Sequence, residues 1–153
     1  MKALRWVLVL CGIALFAYSF RLQAVKDATA APSAAGMVGY KCAYLALTIP
    51  WGSGGLQLLH SSPLQYFSIL FSGWINPLFA IAFFFALFKP RARASLVLSV
   101  IVTVMFVFCW IFFWQLHLRV LPGYWFWMGG ILLSLYANWL ASARRIPGKL
   151  TAP

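Results

Sequence analysis

Four long apolar runs, separated by charged or turn-forming residues, dominate the pattern of this chain. A helix needs about 20 mainly apolar residues to cross the hydrocarbon layer of a membrane. Three runs meet this length, and the first approaches it because arginines at its two ends can reach the interfaces. The pattern predicts an all-α fold, a four-helix transmembrane bundle. The runs are Trp6–Phe20, Leu64–Phe88, Ala94–Leu116 and Tyr124–Ala143, and the helices are expected at about 4–22, 64–88, 94–117 and 122–143.

The connection between the first two runs, residues 23–63, is predicted to lie outside the membrane. Its apolar stretch Met37–Ile49 is too short to span and is typical of a helix that lies in the interface or re-enters the membrane. The alanine-rich segment 28–36 is predicted to be a linker. The length of the chain suits one domain, so residues 1–153 are interpreted as a single membrane domain.

The basic residues give the helices an orientation. The chain has twelve Lys and Arg and one acid, and cytoplasmic loops are enriched in Lys and Arg. Both termini are therefore predicted to face the cytoplasm. Such flanks attract anionic headgroups, so the expected partner is membrane lipid and not nucleic acid. Eight basic residues then lie inside: Lys2, Arg5, Lys89, Arg91, Arg93, Arg144, Arg145 and Lys149.

A cleaved signal peptide is an alternative for the first run. Lys2 and Arg5 would form its basic start, and Ala28-Thr29-Ala30 has the small residues of a cleavage site. The charged residues within 21–27 separate that site from the apolar run, which favours a retained helix. Both interpretations of residues 1–30 stay open at the level of sequence.

Small and hydroxyl residues recur every fourth position on three of the runs, so each set shares one helix face. Stripes of this kind let helix backbones approach closely. A polar path through the bundle is the alternative use of the same residues. The stripes are Ser68 and Ser72, then Ser95, Ser99 and Thr103, then Gly130 and Ser134.

Four polar or special residues are candidates for a structural or functional role: Asn76, Pro77, Asn138 and Cys42. Pro77 removes a backbone hydrogen bond inside a span, which predicts a kink or a separate half-helix before it. The Asn76 amide is expected to satisfy that turn, or to bond Asn138 or a serine of another helix. Cys42 is the cysteine expected outside the bilayer, where it would be an accessible thiol.

Tryptophan and tyrosine gather near the predicted ends of the spans. An aromatic belt at the membrane surface explains this, because these rings are apolar and their N–H or O–H groups favour water. A pocket with aromatic walls, for a lipid or another hydrophobic ligand, is the second interpretation. The cluster at the predicted outer ends comprises Trp74, Trp110, Trp114, Tyr124, Trp125 and Trp127.

The chain has few residues that could carry out catalysis. Asp27 is the sole acid and lies outside every run, so acid–base pairs and serine triads lack their carboxylate. His60 and His117 have no accompanying carboxylate for a metal site, and phosphate-loop and dinucleotide motifs do not occur. The sequence therefore predicts a non-enzymatic protein with no catalytic residues, cofactor or metal.

Two segments, Ser72–Leu78 and Pro122–Trp127, resemble small bacterial inner-membrane proteins of four helices. In that family an Asn-Pro opens or kinks the second helix and a Gly-Tyr-x-x-Trp opens the fourth. The resemblance implies the same architecture, a location in the bacterial inner membrane and no reaction. We expect an accessory or structural multi-pass protein that acts with a membrane-protein partner or as a homo-oligomer; the alternative is a small oligomeric transporter or channel component.

Overall fold

The computed structural model describes residues 2–29, 31, 34–88 and 93–143. That part of the chain is mostly helical and also contains one small sheet. The elements in chain order are α1 Lys2–Ser19, β1 Gln23–Asp27, β2 Met37–Val38, α2 Gly39–Thr48, a 3₁₀ turn Ile49–Trp51, α3 Ser53–Ser61, α4 Pro63–Phe88, α5 Arg93–Gln115, β3 Leu118–Val120 and α6 Pro122–Ala143.

Within the described ranges, two helices are long and apolar enough to cross a membrane. They are Pro63–Phe85 within α4 and Arg93–Gln115, which is α5, with mean hydropathies of 1.7 and 2.8. The apolar part of α1, Ala3–Ser19, is shorter. The expectation of a mainly helical membrane protein is thus supported at two of the four helices that the sequence predicts to span.

Helices α1 and α6 approach each other closely because glycine stands where they cross. A Cβ atom on Gly130 would lie 2.6 Å from the backbone nitrogen of Phe16 and 2.7 Å from the carbonyl oxygen of Gly12. Ser134, one turn later, is buried and donates a hydrogen bond of 2.8 Å to the Gly130 carbonyl. The Gly130–Ser134 stripe therefore serves helix packing.

The serine stripes of α4 and α5 are also buried. Ser72 donates to the carbonyl of Ser68, and Ser99 donates to that of Ser95, at 2.6 and 2.7 Å. Because these hydroxyls are satisfied within their own helices, they can lie in an apolar contact. This supports helix packing as the use of these residues.

A three-stranded antiparallel sheet, which the sequence did not predict, lies across one end of the bundle. β1 is central, between β2 and β3, and Val25 pairs with Val120. α1 accordingly ends at Ser19, three residues before the predicted end of the first helix. The all-α class was incomplete here, and the predicted connection 23–63 holds two strands and two helices. We call this end of the molecule, with its sheet and α2, the sheet end.

Candidate functional site

A partly open apolar cavity of about 300 Å³ lies at the sheet end, bordered by the sheet, α2 and parts of α4, α5 and α6. Pockets for small ligands start at about 300 Å³, so the cavity has room for one small apolar molecule or one end of a larger amphiphile. Each element contributes to the wall, for example Val25, Ala43, Ile69, Phe112, Leu118 and Trp127.

Helix α2 covers the cavity from one side. Cys42, Ala43 and Ala46 line it, whereas Tyr44 is 66% exposed on the other face of the helix. The cover rests directly on α4, because a Cβ atom on Gly73 would collide with the backbone carbonyl of Ala46. The short helix expected within residues 37–49 thus forms, and one face of it borders the cavity.

Asn76 lines the cavity and joins two helices. Its side-chain oxygen accepts a hydrogen bond of 2.9 Å from the indole N–H of Trp127. The sequence had suggested Asn138 or a serine as the interhelical partner, and Trp127 takes that place. Asn138 lies eleven residues further along α6, about 16 Å along the helix axis at the usual rise. Its side chain lies outside the described part of the structure.

Pro77, the neighbour of Asn76, lies inside α4, which runs unbroken from Pro63 to Phe88. The structure therefore favours one continuous helix over a separate half-helix before Pro77. Pro77 itself is half-buried and is not part of the cavity wall.

Cys42, expected as an accessible thiol, is half-buried and borders the cavity. Its sulfur lies 3.8 Å from the backbone carbonyl oxygen of Met37. Burial raises the pKa of the Cys42 thiol to about 11 because it disfavours the charged thiolate. The thiol is therefore protonated at neutral pH and behaves as a small apolar group in the wall.

Tyr124 is the functional candidate that the sequence did not single out. It is 3% exposed and lines the cavity, and its ring contacts that of Phe113 edge to face at 5.0 Å between centroids. Among the described residues its hydroxyl has no hydrogen-bond partner, although it is buried. From the sequence alone, Tyr124 groups with the interfacial aromatics. Its position directly after Pro122-Gly123, where α6 begins, was the signal that could have distinguished it from them.

The aromatic cluster divides between the two roles proposed for it. Trp114 and Trp125 are 78% and 49% exposed, as a belt at a membrane surface requires. Trp127 and Tyr124 instead line the cavity. The exposed tryptophans thus suit the belt interpretation, and the residues near the start of α6 suit the pocket interpretation.

Charged side chains are absent from the cavity wall within the described residues: no Asp, Glu, Lys, Arg or His lines it. His117 lies elsewhere, in a shallow polar depression with Gln65 and Gln115. The described ranges also hold no group of three or more His, Cys, Asp or Glu that could bind a metal. The wall therefore suits an uncharged molecule.

Comparisons of the chain with models of protein families, with curated proteins and with solved structures found no match. The residues that border the cavity are therefore the basis for the function proposed below.

Proposed function

We propose that this chain is a non-enzymatic accessory protein, multi-pass in the bacterial inner membrane, whose cavity holds an apolar molecule taken from the membrane. The observation that carries the proposal is the cavity at the sheet end. Its wall is nearly all apolar and α2 covers it. Burial of apolar surface stabilises a complex by about 25 cal/mol per Å², and apolar cavities of this kind exclude water but accept hydrocarbon.

In this proposal α1, α4, α5 and α6 all cross the membrane, with both termini in the cytoplasm. The guanidinium of Arg5 donates a hydrogen bond of 3.0 Å to the carbonyl oxygen of Leu87. The start of α1 and the end of α4 therefore lie at the same end of the bundle, as alternating passes require. A cation at a helix C-terminus is favourable, and basic residues at this end agree with a cytoplasmic face.

A binding role is favoured over turnover by the chemistry of the wall. General acid–base catalysis needs side chains that exchange protons near the working pH. The described wall offers hydroxyls, thiols and one amide instead, and the thiol of Cys42 is protonated at neutral pH. These groups orient a ligand but are poor proton carriers.

The test is to purify the protein in mild detergent, extract it with organic solvent and identify bound apolar molecules by mass spectrometry. Ala43→Phe places a ring in the cavity, whereas Ala80→Phe adds the same ring on an exposed position of α4. We expect a stoichiometric apolar molecule in the parent and in Ala80→Phe, and its loss in Ala43→Phe. Equal retention in the two variants would contradict the proposal.

A further inference from the structure

The Tyr124 hydroxyl is a hydrogen-bonding group that the protein leaves unused. The residue is 3% exposed and borders the cavity, and no described residue pairs with its hydroxyl. Buried polar groups nearly always have a partner, because an unpaired one loses its hydrogen bonds to water without replacement. A group of this kind, on a residue that borders an apolar cavity, points to a partner on the ligand.

The neighbouring hydroxyls and one amide oxygen already have partners. Ser19 donates to the carbonyl of Phe16 at 2.6 Å, and Ser72 donates to that of Ser68 at 2.6 Å. The side-chain oxygen of Asn76 is taken by the indole of Trp127. Within the described wall, Tyr124 is thus the residue with a buried hydroxyl proton still to donate, and the amide N–H groups of Asn76 are further donors without a described acceptor.

The described wall also lacks charged residues. Together with the unpaired Tyr124 hydroxyl, this lack of charge narrows the chemical class of the ligand. We propose that the cavity takes an uncharged amphiphile whose buried end carries a carbonyl oxygen, which accepts a hydrogen bond from the Tyr124 hydroxyl. The inference rests on the proposed function and adds the chemical class of the ligand. An ester carbonyl of a bilayer lipid and the carbonyl of a free ketone or quinone share this chemistry.

The matched probes are 2-undecanone and undecane, which have similar chains but differ in the carbonyl. Affinities follow from the rise in melting temperature of the whole protein in detergent as each probe is added. Tyr124→Phe should weaken binding of the ketone about 3- to 10-fold, the value of one hydrogen bond, and leave undecane unchanged. Because each probe is compared with itself, its partition into detergent cancels.

Tyr136→Phe is the matched control, because its hydroxyl lies 2.9 Å from that of Thr103 and is already paired. It should leave both affinities unchanged. If Tyr124→Phe changes the affinities for the ketone and the alkane equally, or changes neither affinity, the inference is overturned and the proposed function stands. Failure of both probes to bind the parent would overturn the two together.

A measurement on the parent protein covers the case in which Tyr124→Phe does not fold. The carbonyl stretch of isotope-labelled 2-undecanone should move to lower frequency on binding, as hydrogen bonding requires, and an unshifted band would overturn the inference. Mass spectrometry of the extracted native ligand separates the two sources, a bilayer lipid or a free ketone or quinone. A native ligand without an acceptor oxygen would also overturn it.

Discussion

The indole N–H of Trp127 donates a hydrogen bond of 2.9 Å to the side-chain oxygen of Asn76, and both residues border the same cavity. The bond joins α6 to α4 beside the space that the ligand is proposed to fill. Its strength therefore bears on the shape of the cavity as well as on the stability of the bundle.

Asn76→Leu should lower the free energy of unfolding by about 1 kcal/mol, since hydrogen bonds between membrane helices contribute roughly 0.6 and at most about 1.7 kcal/mol. The loss arises because the Trp127 N–H is left without its acceptor. A double-mutant cycle with Trp127→Phe, followed by thermal unfolding in detergent, measures the pair alone. A coupling energy indistinguishable from zero would mean that this bond does not stabilise the fold.

The crossing of α1 and α6 predicts opposite results at two adjacent glycines. Gly130→Ala should destabilise the protein by roughly 1–3 kcal/mol, because its methyl group would lie 2.6 Å from the backbone of Phe16. Gly129→Ala meets open space and should be neutral or slightly stabilising, since alanine favours helix more than glycine does. Thermal unfolding of both variants is the measurement, and similar melting temperatures would refute the close crossing.

The thiol of Cys42 should react slowly with maleimide at neutral pH. Its pKa is raised to about 11 by burial, and only the thiolate reacts, so at pH 8 the rate should be about 100-fold below that of an ordinary thiol. The rate should keep rising with pH until about 11. The reference is Tyr44→Cys in a Cys42→Ser background, an exposed position on the same helix. Equal rates at pH 8 would show that Cys42 is not shielded.

The orientation is tested with reporter fusions. A fluorescent protein joined after Arg93 or after Pro153 should fluoresce, and alkaline phosphatase at the same positions should be inactive, because both positions are predicted to face the cytoplasm. Phosphatase activity at either position would contradict the predicted topology. Replacing the basic residues of 89–93 by acidic ones should disturb the orientation more than the same change elsewhere, since short loops follow the charge rule best.

The four long helices were readable from the sequence because each stands alone as an apolar run, whereas α3 was not predicted. α4 and α5 begin and end within two residues of their predicted bounds. The glycine and serine stripes also indicated which faces meet, as Gly130 shows. These features depend on residues that are close in sequence, and a helix needs no distant partner for its backbone hydrogen bonds.

The sheet and the cavity could not be read in the same way. Val25 pairs with Val120, which lies 95 residues further along the chain and beyond four intervening helices, and β3 has just three residues. No local pattern marks such a strand, because its pairing depends on how the bundle brings the two segments together. The partner of Asn76 was missed for the same reason: the offset between α4 and α6 that sets Trp127 opposite it follows from the whole fold.

Because α1 packs against α6, the fold can be completed only after α6 has been synthesised. α4 and α5 follow each other closely and can pair as soon as both have left the ribosome, whereas α1 is made first and meets its close partner last. Until then the face of Gly12 has no partner, although β2 and β3 precede α6 and can already pair with β1. A nascent chain that stops before α6 would therefore present to the cell an open helix face, which is a feature that quality-control proteases and chaperones recognise.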